Sequence, residues 1–368
     1  MAVSLPVRIG AIGCGAALEH LYEHPLRRLA KRGWLQVVAL VEPSERRRSW
    51  AQQAFPEGRV DADAAKVLAE ARVDLTVITS PPPLHAAHAE IALNLGSHVL
   101  CEKPLADTVA AGERMLAQAH TRGRLLGVGM TRRFYPCLAE ARRWLQEGRL
   151  GRVHSYVYRE GGVYGWPVTS DAPFRRATSG GGVLLDKGVH VLDLLGWLFG
   201  PAQLVRSEDD AWRDGVEGNS LVRLDHNGVT GQVQLSWDQD LNNGFVIRGD
   251  QGELMMPIGP LHDLFFRQPG SAWQRIPTPV DWPGDLEPAG GRRGHARTYY
   301  ECIDYQLIQM LRALVHGESV PVTGEEGLAT LQLIGTAYQQ ATSLPQPWLP
   351  AAEQQLTVRR HWRSPSGS

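Results

Sequence analysis

Lysine is scarce in this sequence. The 368 residues carry 38 basic and 39 acidic side chains, and only four of the basic residues are lysines: Lys31, Lys66, Lys103 and Lys187. Arginine stays protonated, whereas lysine can be tuned to act as an acid or a base, so any lysine-dependent chemistry has four candidates. The formal net charge of −1 and the lack of a long basic run predict no nucleic-acid partner.

Cysteine and long apolar runs are also scarce. The four cysteines lie far apart without C-x-x-C spacing, which predicts reduced thiols in a cytoplasmic protein and excludes a disulfide framework. No apolar stretch reaches the roughly 20 residues that span a bilayer, and residues 1–13 lack the pattern of a signal peptide. The sequence therefore predicts a soluble globular protein without a membrane partner, built from two domains or one large one.

Short apolar strands alternate with helical segments over the first 130 residues. The strands are predicted at 7–12, 35–41, 75–79, 98–101 and 125–130. Buried strands that alternate with helices indicate a parallel sheet covered on both faces. We therefore predict a doubly wound α/β domain over residues 1–130.

The pattern changes after residue 130. Between 202 and 257, polar and apolar residues alternate in runs broken by Asn-Gly turns at 227–228 and 243–244, which predicts an antiparallel meander. Residues 257–295 read as long loops, and helices are predicted at 138–147, 183–199, 299–315 and 324–342. We assign residues 131–355 to a second domain and residues 356–368 to a tail.

A glycine motif, GAIGCG at 10–15, directly follows the first strand and opens a helix. Glycines at such a turn let the backbone approach a pyrophosphate, which the unpaired N–H groups of the helix N-terminus also attract. The last glycine of the G-x-G-x-x-G fingerprint is replaced by Leu18. The residues predicted to contact a dinucleotide here are Gly10, Ile12, Gly13, Cys14, Gly15 and Ala16.

An acidic residue, Glu42, ends the second strand. Its carboxylate would accept hydrogen bonds from the ribose hydroxyls of the adenosine, which favours NAD over NADP. Arg46, Arg47 and Arg48 follow closely and could instead hold a 2′-phosphate, so NADP stays an alternative.

The segment Cys101-Glu102-Lys103-Pro104 ends the strand at 98–101. Ligands of open α/β sheets bind at the carboxyl ends of the strands, so Lys103 is expected where cofactor and substrate meet. A lysine there can hold a substrate oxygen and stabilise a developing alkoxide. The alternative is a surface lysine before a turn proline.

A glycine run at 180–182 precedes a helical segment with one polar stripe. Asp186, His190 and Asp193 stand at i, i+4 and i+7 among apolar residues. A buried polar stripe must be paired or functional, and a histidine beside a carboxylate suits general acid–base catalysis. The alternative is a self-satisfied His–Asp pair in the core. Two carboxylates and one histidine are an incomplete ligand set, so we predict no metal.

The three motifs together resemble the Gfo/Idh/MocA oxidoreductases, which act on sugars, cyclitols and related polyols. The resemblance rests on GAIGCG at 10–15, HVLCEKPLA at 98–106 and GGGVLLDKGVHVLDLLGWLFG at 180–200, and it covers roughly residues 5–345. It implies an N-terminal Rossmann domain, a C-terminal α/β domain with a large, mainly antiparallel sheet, and a homo-oligomer, either a dimer or a tetramer.

The resemblance also implies NAD(P)-dependent hydride transfer to or from a sugar or polyol, with Lys103, Asp186 and His190 as the catalytic residues. His190 would take the proton of the substrate hydroxyl, Lys103 would bridge that oxygen and the nicotinamide ribose, and Asp186 would fix the substrate. This combination favours the arrangement of inositol dehydrogenases.

Further contacts follow from the same resemblance. Ser80, Pro81, His85, Glu102 and Lys103 are expected at the cofactor, and Arg133, Trp166, Asp186 and His190 at the substrate. Tyr164 and Arg175 could also wall the substrate pocket. Two other functions stay open at this point, namely a redox-assisted lyase or glycosidase that retains NAD and a nucleotide-binding protein that has lost catalysis.

Overall fold

The computed structural model describes residues 3–166, 171–211, 213–278 and 299–345. The chain divides into two compact units, the first formed by Met1–Thr131 with Tyr300–Leu331 and the second by Arg132–Tyr299 with Gln332–Ser368. The compact units thus divide near residue 131 and place residues 300–331 with the first unit, whereas the domains predicted from the sequence run over 1–130 and 131–355. The tail at 356–368 lies outside the described residues.

Six parallel strands form the sheet of the first unit. They are β1 (Val7–Ile12), β2 (Leu35–Val41), β3 (Arg59–Asp61), β4 (Leu75–Ile78), β5 (His98–Cys101) and β6 (Leu126–Val128). Their order, β3-β2-β1-β4-β5-β6, is that of a doubly wound Rossmann sheet, which confirms the predicted fold class. The short edge strand β3 was not predicted, because three half-exposed residues give no apolar run.

Helices connect these strands. They are α1 (Glu23–Lys31), α2 (Glu45–Ala54), α3 (Ala64–Ala71), α4 (His85–Asn94) and α5 (Val109–Arg122). A π-helical turn at Leu18–Tyr22 precedes α1. Apart from the edge strand β3, the strands of this sheet are almost entirely buried, as expected for a parallel sheet with helices on both faces.

Nine strands form the sheet of the second unit. They are β7 (Val153–Glu160), β8 (Gln203–Asp209), β9 (Asn219–His226), β10 (Val229–Ser236), β11 (Gly244–Gly249), β12 (Gly252–Pro257), β13 (Phe265–Arg267), β14 (Gln274–Arg275) and β15 (Thr342–Ser343). Their order is β14-β13-β12-β11-β7-β10-β9-β8-β15. All neighbours are antiparallel except β10 with β7 and β15 with β8, so the predicted mainly antiparallel sheet is confirmed.

The strand β7 changes the expected connectivity. It lies between β10 and β11, so the alternating runs at 202–257 do not form a simple meander. The predicted long loop at 257–295 also contains the short strands β13 and β14, and residues 279–298 lie outside the described part. The second unit further includes α6 (Pro136–Gln146), α7 (Arg176–Ser179) and α8 (Val189–Phe199).

Two late helices explain how residues 300–331 join the first unit. They are α9 (Tyr299–His316) and α10 (Gly324–Gln339). In α9, Asp304 pairs with Arg28 at 2.6 Å, and Gln306 donates to the hydroxyl of Tyr22 at 3.2 Å. At Gly127 in β6, the position of an added Cβ would lie 3.2 Å from the sulfur of Met310. Residues more than 160 positions after the first domain thus complete its core, which no local pattern could show.

No helix in the described ranges is both long and apolar enough to cross a membrane. All four cysteines are described and buried, and no disulfide joins them.

A close side-chain approach joins the parallel pair β7 and β10. Gly231 pairs with Tyr156, and the tyrosine ring occupies the space where a side chain at 231 would project. The same ring stacks on Phe199 of α8 at 5.0 Å, and its hydroxyl is 2.9 Å from His226 Nε2. Tyr156 therefore ties α8 to the centre of the sheet.

We predict that Gly231→Ala destabilises the protein by about 1–3 kcal/mol, because the new methyl group would overpack the ring. The added Cβ would lie 1.9 Å from Tyr156 Cζ. Gly196→Ala in α8 is the matched control, since an added Cβ meets nothing within 4 Å there, and it should be neutral or stabilising by up to about 1 kcal/mol. Urea unfolding followed by circular dichroism measures both, and equal midpoints would contradict the prediction.

Candidate active site

The carboxyl ends of β1, β2 and β4 meet at one edge of the Rossmann sheet and line a cleft of about 660 Å³. Several residues predicted at the cofactor line it, namely Ile12, Gly13, Gly15, Glu42, Ser80 and Pro81. The cleft also includes residues that the sequence did not indicate, at 62–65 after β3 and at His88 in α4. A mainly apolar cleft with a few polar groups at this edge is typical of a nucleotide site.

The three glycines of the first motif serve different purposes. Gly13 has φ +93°, and a Cβ there would lie 2.6 Å from the backbone nitrogen of Ser80. At Gly15 a Cβ would meet no protein atom within 4 Å, so this position leaves room beside the cleft. Gly10 faces away from the cleft, because its added Cβ would lie 2.8 Å from Leu68 in α3. Gly10 is therefore closely packed against α3, and its contact with the cofactor stays a prediction.

Cys14 and Ala16, which were also predicted at the cofactor, are not among the residues that line the cleft. The side chain of Cys14 is buried, and burial raises the pKa of its thiol to about 12. Ala16 opens the helical segment that follows the glycines.

The Glu42 carboxylate caps the glycine loop. Its two oxygens accept the N–H groups of Cys14 and Ser44, each at 2.9 Å. The carboxylate is thus fixed at the carboxyl end of β2, within the lining of the cleft. Its position suits the ribose hydroxyls that the sequence analysis expected it to bind.

Two of the three neighbouring arginines are engaged within the protein. The guanidinium of Arg47 donates to the carbonyl of Cys14 at 2.6 Å and pairs with Glu19 at 2.7 Å. Arg48 donates to the carbonyl of Pro43 at 2.6 Å. Arg46 is exposed at the start of α2. These contacts hold the loop between β2 and α2 against the glycine motif.

Two histidines of α4 converge on Ser80. His88 Nδ1 is 2.9 Å from Ser80 Oγ, and His85 Nε2 is 2.7 Å from the Ser80 carbonyl oxygen. His85 is fully buried, and its Nδ1 is 2.9 Å from the carbonyl oxygen of Pro104. The structure therefore places the His85 ring behind the cleft, where it connects the Ser80 loop to the turn that carries Lys103.

The Glu-Lys-Pro turn follows β5 and is anchored by Glu102. One oxygen of this carboxylate accepts from the Tyr22 hydroxyl at 2.5 Å, and the other accepts from the Lys103 N–H at 3.2 Å. Burial raises the pKa of Glu102, and the bond from Tyr22 opposes that shift. Gly129 leaves room for the carboxylate, since a Cβ there would lie 2.7 Å from its oxygen. Lys103 itself is half-buried at the carboxyl edge of the sheet.

The motif that contains Asp186 and His190 belongs to the second unit. Asp186 lies in a π-helical turn, Leu184–Gly188, and His190 lies in the first turn of α8. Both side chains are half-buried, so both retain access to solvent. Lys187, between them, donates from Nζ to the Ser236 carbonyl oxygen at 3.3 Å and tethers the turn to the end of β10. Among the described residues, no group of three or more His, Cys, Asp or Glu side chains could hold a metal ion.

The third member of the polar stripe, Asp193, has a different partner. It is 2% exposed, and its two oxygens accept from Arg133 at 2.6 and 2.8 Å. Arg133 is itself 6% exposed, so this buried, bidentate ion pair accounts for both side chains. The predicted substrate contact of Arg133 stays a prediction, and the structure assigns it a role in holding α8.

Three residues before the glycine run are candidates for the wall of the substrate pocket, namely Tyr164, Trp166 and Arg175. Tyr164 packs edge-on against Trp237 and Phe174, at 4.9 and 5.3 Å between ring centroids. Trp166 is 45% exposed. Arg175 pairs with Asp171 at 2.6 Å and with Asp214 at 3.3 Å. Of the candidate wall residues, Tyr164 is therefore engaged in packing, whereas Trp166 and Arg175 are exposed.

The sequence analysis missed one buried carboxylate next to the second motif. Glu217 lies between β8 and β9 and is fully buried. Its Oε1 accepts from Gly182 N at 2.9 Å, Leu184 N at 3.0 Å and Tyr338 Oη at 2.7 Å. Burial, with the nearby Asp209 charge, raises the pKa of Glu217 to about 7. A glutamate in a turn between strands gives no sequence signal of this contact.

Comparison with known proteins agrees with this geometry. Residues 7–130 match the family model for an oxidoreductase family with an NAD-binding Rossmann fold, and residues 138–255 match the Gfo/Idh/MocA C-terminal domain. An inositol 2-dehydrogenase from Saccharopolyspora erythraea is 32% identical over 263 residues, which cover 68% of this chain and 72% of that protein. The chain belongs to the Gfo/Idh/MocA family.

Solved structures show the same fold. Levoglucosan dehydrogenase in complex with NADH and levoglucosan superposes with a TM-score of 0.78 at 21% identity, covering 90% of this chain and 95% of that chain. A 3-ketoreductase from Actinomadura kijaniata in complex with NADP and TDP-benzene gives a TM-score of 0.76 at 22% identity, covering 92% and 99%. The Gfo/Idh/MocA chain described here is accordingly an NAD(P)-dependent dehydrogenase or reductase that acts on CH–OH groups.

We predict that Gly15→Ala weakens NAD(H) binding at least about tenfold, or 1.4 kcal/mol, without changing stability. The new methyl group meets no protein atom within 4 Å, so it would compete only with a ligand. Gly13→Ala should lose both stability and binding, because of its positive φ and its contact with Ser80. Thermal unfolding and calorimetric titration with NADH separate the two effects, and wild-type affinity in Gly15→Ala would exclude this loop from the site.

Proposed function

We propose that the protein oxidises a secondary alcohol of a sugar, sugar derivative or cyclitol, or reduces the matching ketone, with NAD as the preferred cofactor. The observation that carries this proposal is the Glu42-capped glycine cleft in a chain that also presents Lys103, Asp186 and His190 as half-buried polar groups. The names of relatives, which include inositol 2-dehydrogenase and D-glucoside 3-dehydrogenase, support the substrate class.

The residues of the cleft fit a dinucleotide. Gly13 and Gly15 would allow the pyrophosphate to approach the backbone, and Glu42 would accept from the adenosine ribose. Ser80 and Pro81 line the same cleft after β4 and would contact the nicotinamide half. When bound, the nicotinamide supplies the acceptor or donor of the hydride.

Each proposed catalytic residue has a separate role. The Lys103 ammonium would donate to the reacting oxygen and stabilise negative charge that develops on it. His190 would remove the hydroxyl proton as general base, since the pKa of imidazole lies near neutral pH. Asp186 would accept from a second substrate hydroxyl and fix the orientation of the ring. These groups account for proton removal and charge stabilisation without a metal.

Two contacts support the preference for NAD. A 2′-phosphate would bring negative charge to the carboxylate of Glu42, which is held in place by Cys14 and Ser44. The guanidiniums of Arg47 and Arg48 already donate to backbone carbonyls, so neither is available without breaking those bonds. Repulsion between the 2′-phosphate and the Glu42 carboxylate would therefore disfavour NADP.

We predict that Lys103→Ala and His190→Ala each lower kcat by about 10²–10⁴-fold, the usual loss when an acid–base or charge-stabilising group is removed. The Kd for NADH should stay near the wild-type value, because neither side chain forms the pyrophosphate loop. Lys31→Ala, at the exposed end of α1, is the control lysine and should keep full activity. The assay follows NADH formation with a panel of cyclitols, pyranoses, glycosides and nucleotide sugars.

The panel also separates the competing functions. Turnover retained in both Lys103→Ala and His190→Ala would remove the catalytic assignment. Bound NAD with product formation but no net NADH would indicate a redox-assisted lyase or glycosidase. Binding without any reaction would indicate a protein that has lost catalysis. The cytoplasmic location and the homo-oligomer stay predictions.

We predict that NAD binds at least about tenfold more tightly than NADP, a difference of 1.4 kcal/mol, and that Glu42→Gln reduces this ratio. The substitution removes the negative charge but keeps one acceptor oxygen for the loop. Glu45→Gln, three residues later on the exposed face of α2, should leave the ratio unchanged. Calorimetric titration with both nucleotides measures the ratio, and an unchanged ratio in Glu42→Gln would contradict this role.

A further inference from the structure

One buried residue, Glu217, accepts hydrogen bonds at the start of the segment that carries Asp186 and His190. Glu217 accepts the N–H groups of Gly182 and Leu184 with one carboxylate oxygen and that of Val183 with its backbone carbonyl at 3.0 Å. The first N–H groups of a helical segment have no partner within it and need an outside acceptor. Here three consecutive N–H groups are satisfied by a single residue from the turn between β8 and β9.

The glycine run is shaped to this contact. A Cβ at Gly182 would lie 2.0 Å from the Glu217 carbonyl oxygen, and one at Gly181 would lie 2.2 Å from the Tyr338 hydroxyl oxygen. Tyr338 of α10 in turn donates to the Glu217 carboxylate at 2.7 Å. Glycine is therefore required at 181 and 182 because Glu217 and Tyr338 approach the backbone so closely.

The contact reaches Asp186 by one further hydrogen bond. The N–H of Asp186 donates to the Gly182 carbonyl oxygen at 2.9 Å, so the residue that Glu217 holds also holds the backbone of Asp186. On the other side of the turn, Lys187 is tied to the Ser236 carbonyl. The π-helical turn is thus fixed at both ends, and His190 follows it directly in α8.

Stability alone does not explain a buried carboxylate at this position. Oε2 of Glu217 has no hydrogen-bond partner among the described residues, although the side chain is fully buried. Burial of such a group is unfavourable unless its bonds compensate, and an apolar core would be at least as stable. Apart from the bond from Tyr338, its bonds are directed at the start of the segment that carries Asp186 and His190, which indicates that they fix geometry.

We propose that Glu217, supported by Tyr338, is a positioning residue for the reaction: it sets the backbone that presents Asp186 and His190 to the substrate. This inference rests on the proposed function of those two residues. Neither Glu217 nor Tyr338 would touch substrate or cofactor, and both act through the backbone of residues 182–186.

The test compares Glu217→Ala, Glu217→Gln and Tyr338→Phe in the full-length protein. Glu217→Ala should lower kcat about 100-fold, because small displacements of catalytic groups have effects of that size, while the Kd for NADH stays unchanged. Glu217→Gln should restore most of kcat, since the carboxamide oxygen can accept the same N–H groups. Tyr338→Phe loses one bond to the carboxylate and should lower kcat about three- to tenfold.

Hydrogen exchange provides a readout that needs no substrate. In Glu217→Ala, and to a smaller degree in Tyr338→Phe, the amides of residues 182–190 should exchange faster, and Glu217→Gln should return them toward wild type. Glu208→Ala and Tyr156→Phe are matched controls, because Glu208 and Tyr156 are also buried in the same unit but bond elsewhere, to Arg206 and His226.

The outcomes separate the two proposals. One outcome is that the panel yields no reaction, while amide exchange rises in Glu217→Ala and Tyr338→Phe and not in the controls. Glu217 then still fixes the backbone of this segment, and the proposed reaction is wrong. If the reaction is found but Glu217→Ala matches Glu208→Ala in kcat and in exchange, the positioning role is refuted. If Glu217→Ala does not fold, the other two variants decide. Wild-type kcat and exchange in Tyr338→Phe would overturn the positioning role. A folded Glu217→Gln that does not retain kcat would overturn it as well.

Discussion

The cofactor cleft depends on one close approach of two backbone segments. Gly13 directly follows β1, and an added Cβ there would lie 2.6 Å from the backbone nitrogen of Ser80. The Thr79 hydroxyl donates to the Gly13 carbonyl oxygen at 2.6 Å. Because β1 is also hydrogen-bonded to β2, the same register brings the carboxylate of Glu42 to the glycine loop. A side chain at position 13 would separate the loop after β1 from the loop after β4, and the cleft that these loops line would be disrupted.

The two motifs proposed to be catalytic are held by the same kind of interaction. In the first unit, the Tyr22 hydroxyl donates to Glu102 at 2.5 Å, and Glu102 accepts the N–H of Lys103. In the second, the Tyr338 hydroxyl donates to Glu217 at 2.7 Å, and Glu217 accepts the N–H groups at the start of the other motif. A carboxylate with a tyrosine donor behind it is a rigid acceptor, since the tyrosine is itself buried. In each unit, a tyrosine that is distant in the sequence thus fixes the carboxylate that holds the backbone of one motif.

Sequence reasoning succeeded where the signal is local. Apolar strands, the glycine triplet and the Glu-Lys-Pro turn each have a short pattern with one physical cause, and the Rossmann sheet follows from them. It could not show contacts between residues that are distant in the sequence: His85 is buried between two carbonyls, Arg133 is bound to Asp193, and α9 belongs to the first unit. The ligand contacts expected of His85 and Arg133 stay predictions. A polar residue in a motif looks the same whether it faces a ligand or a buried ion pair, and only the fold distinguishes the two.

The scarcity of lysine acquires a physical meaning at two of its four positions. Lys187 donates from Nζ to the Ser236 carbonyl in a half-buried turn. An arginine there would bring a larger planar group with five N–H donors, and unpaired donors are costly when buried. Lys103 stands at the carboxyl edge beside Glu102, where the proposed reaction needs a compact cation next to the reacting oxygen. In both places the shape and hydrogen-bonding capacity of the cation matter, and its charge alone would not select lysine.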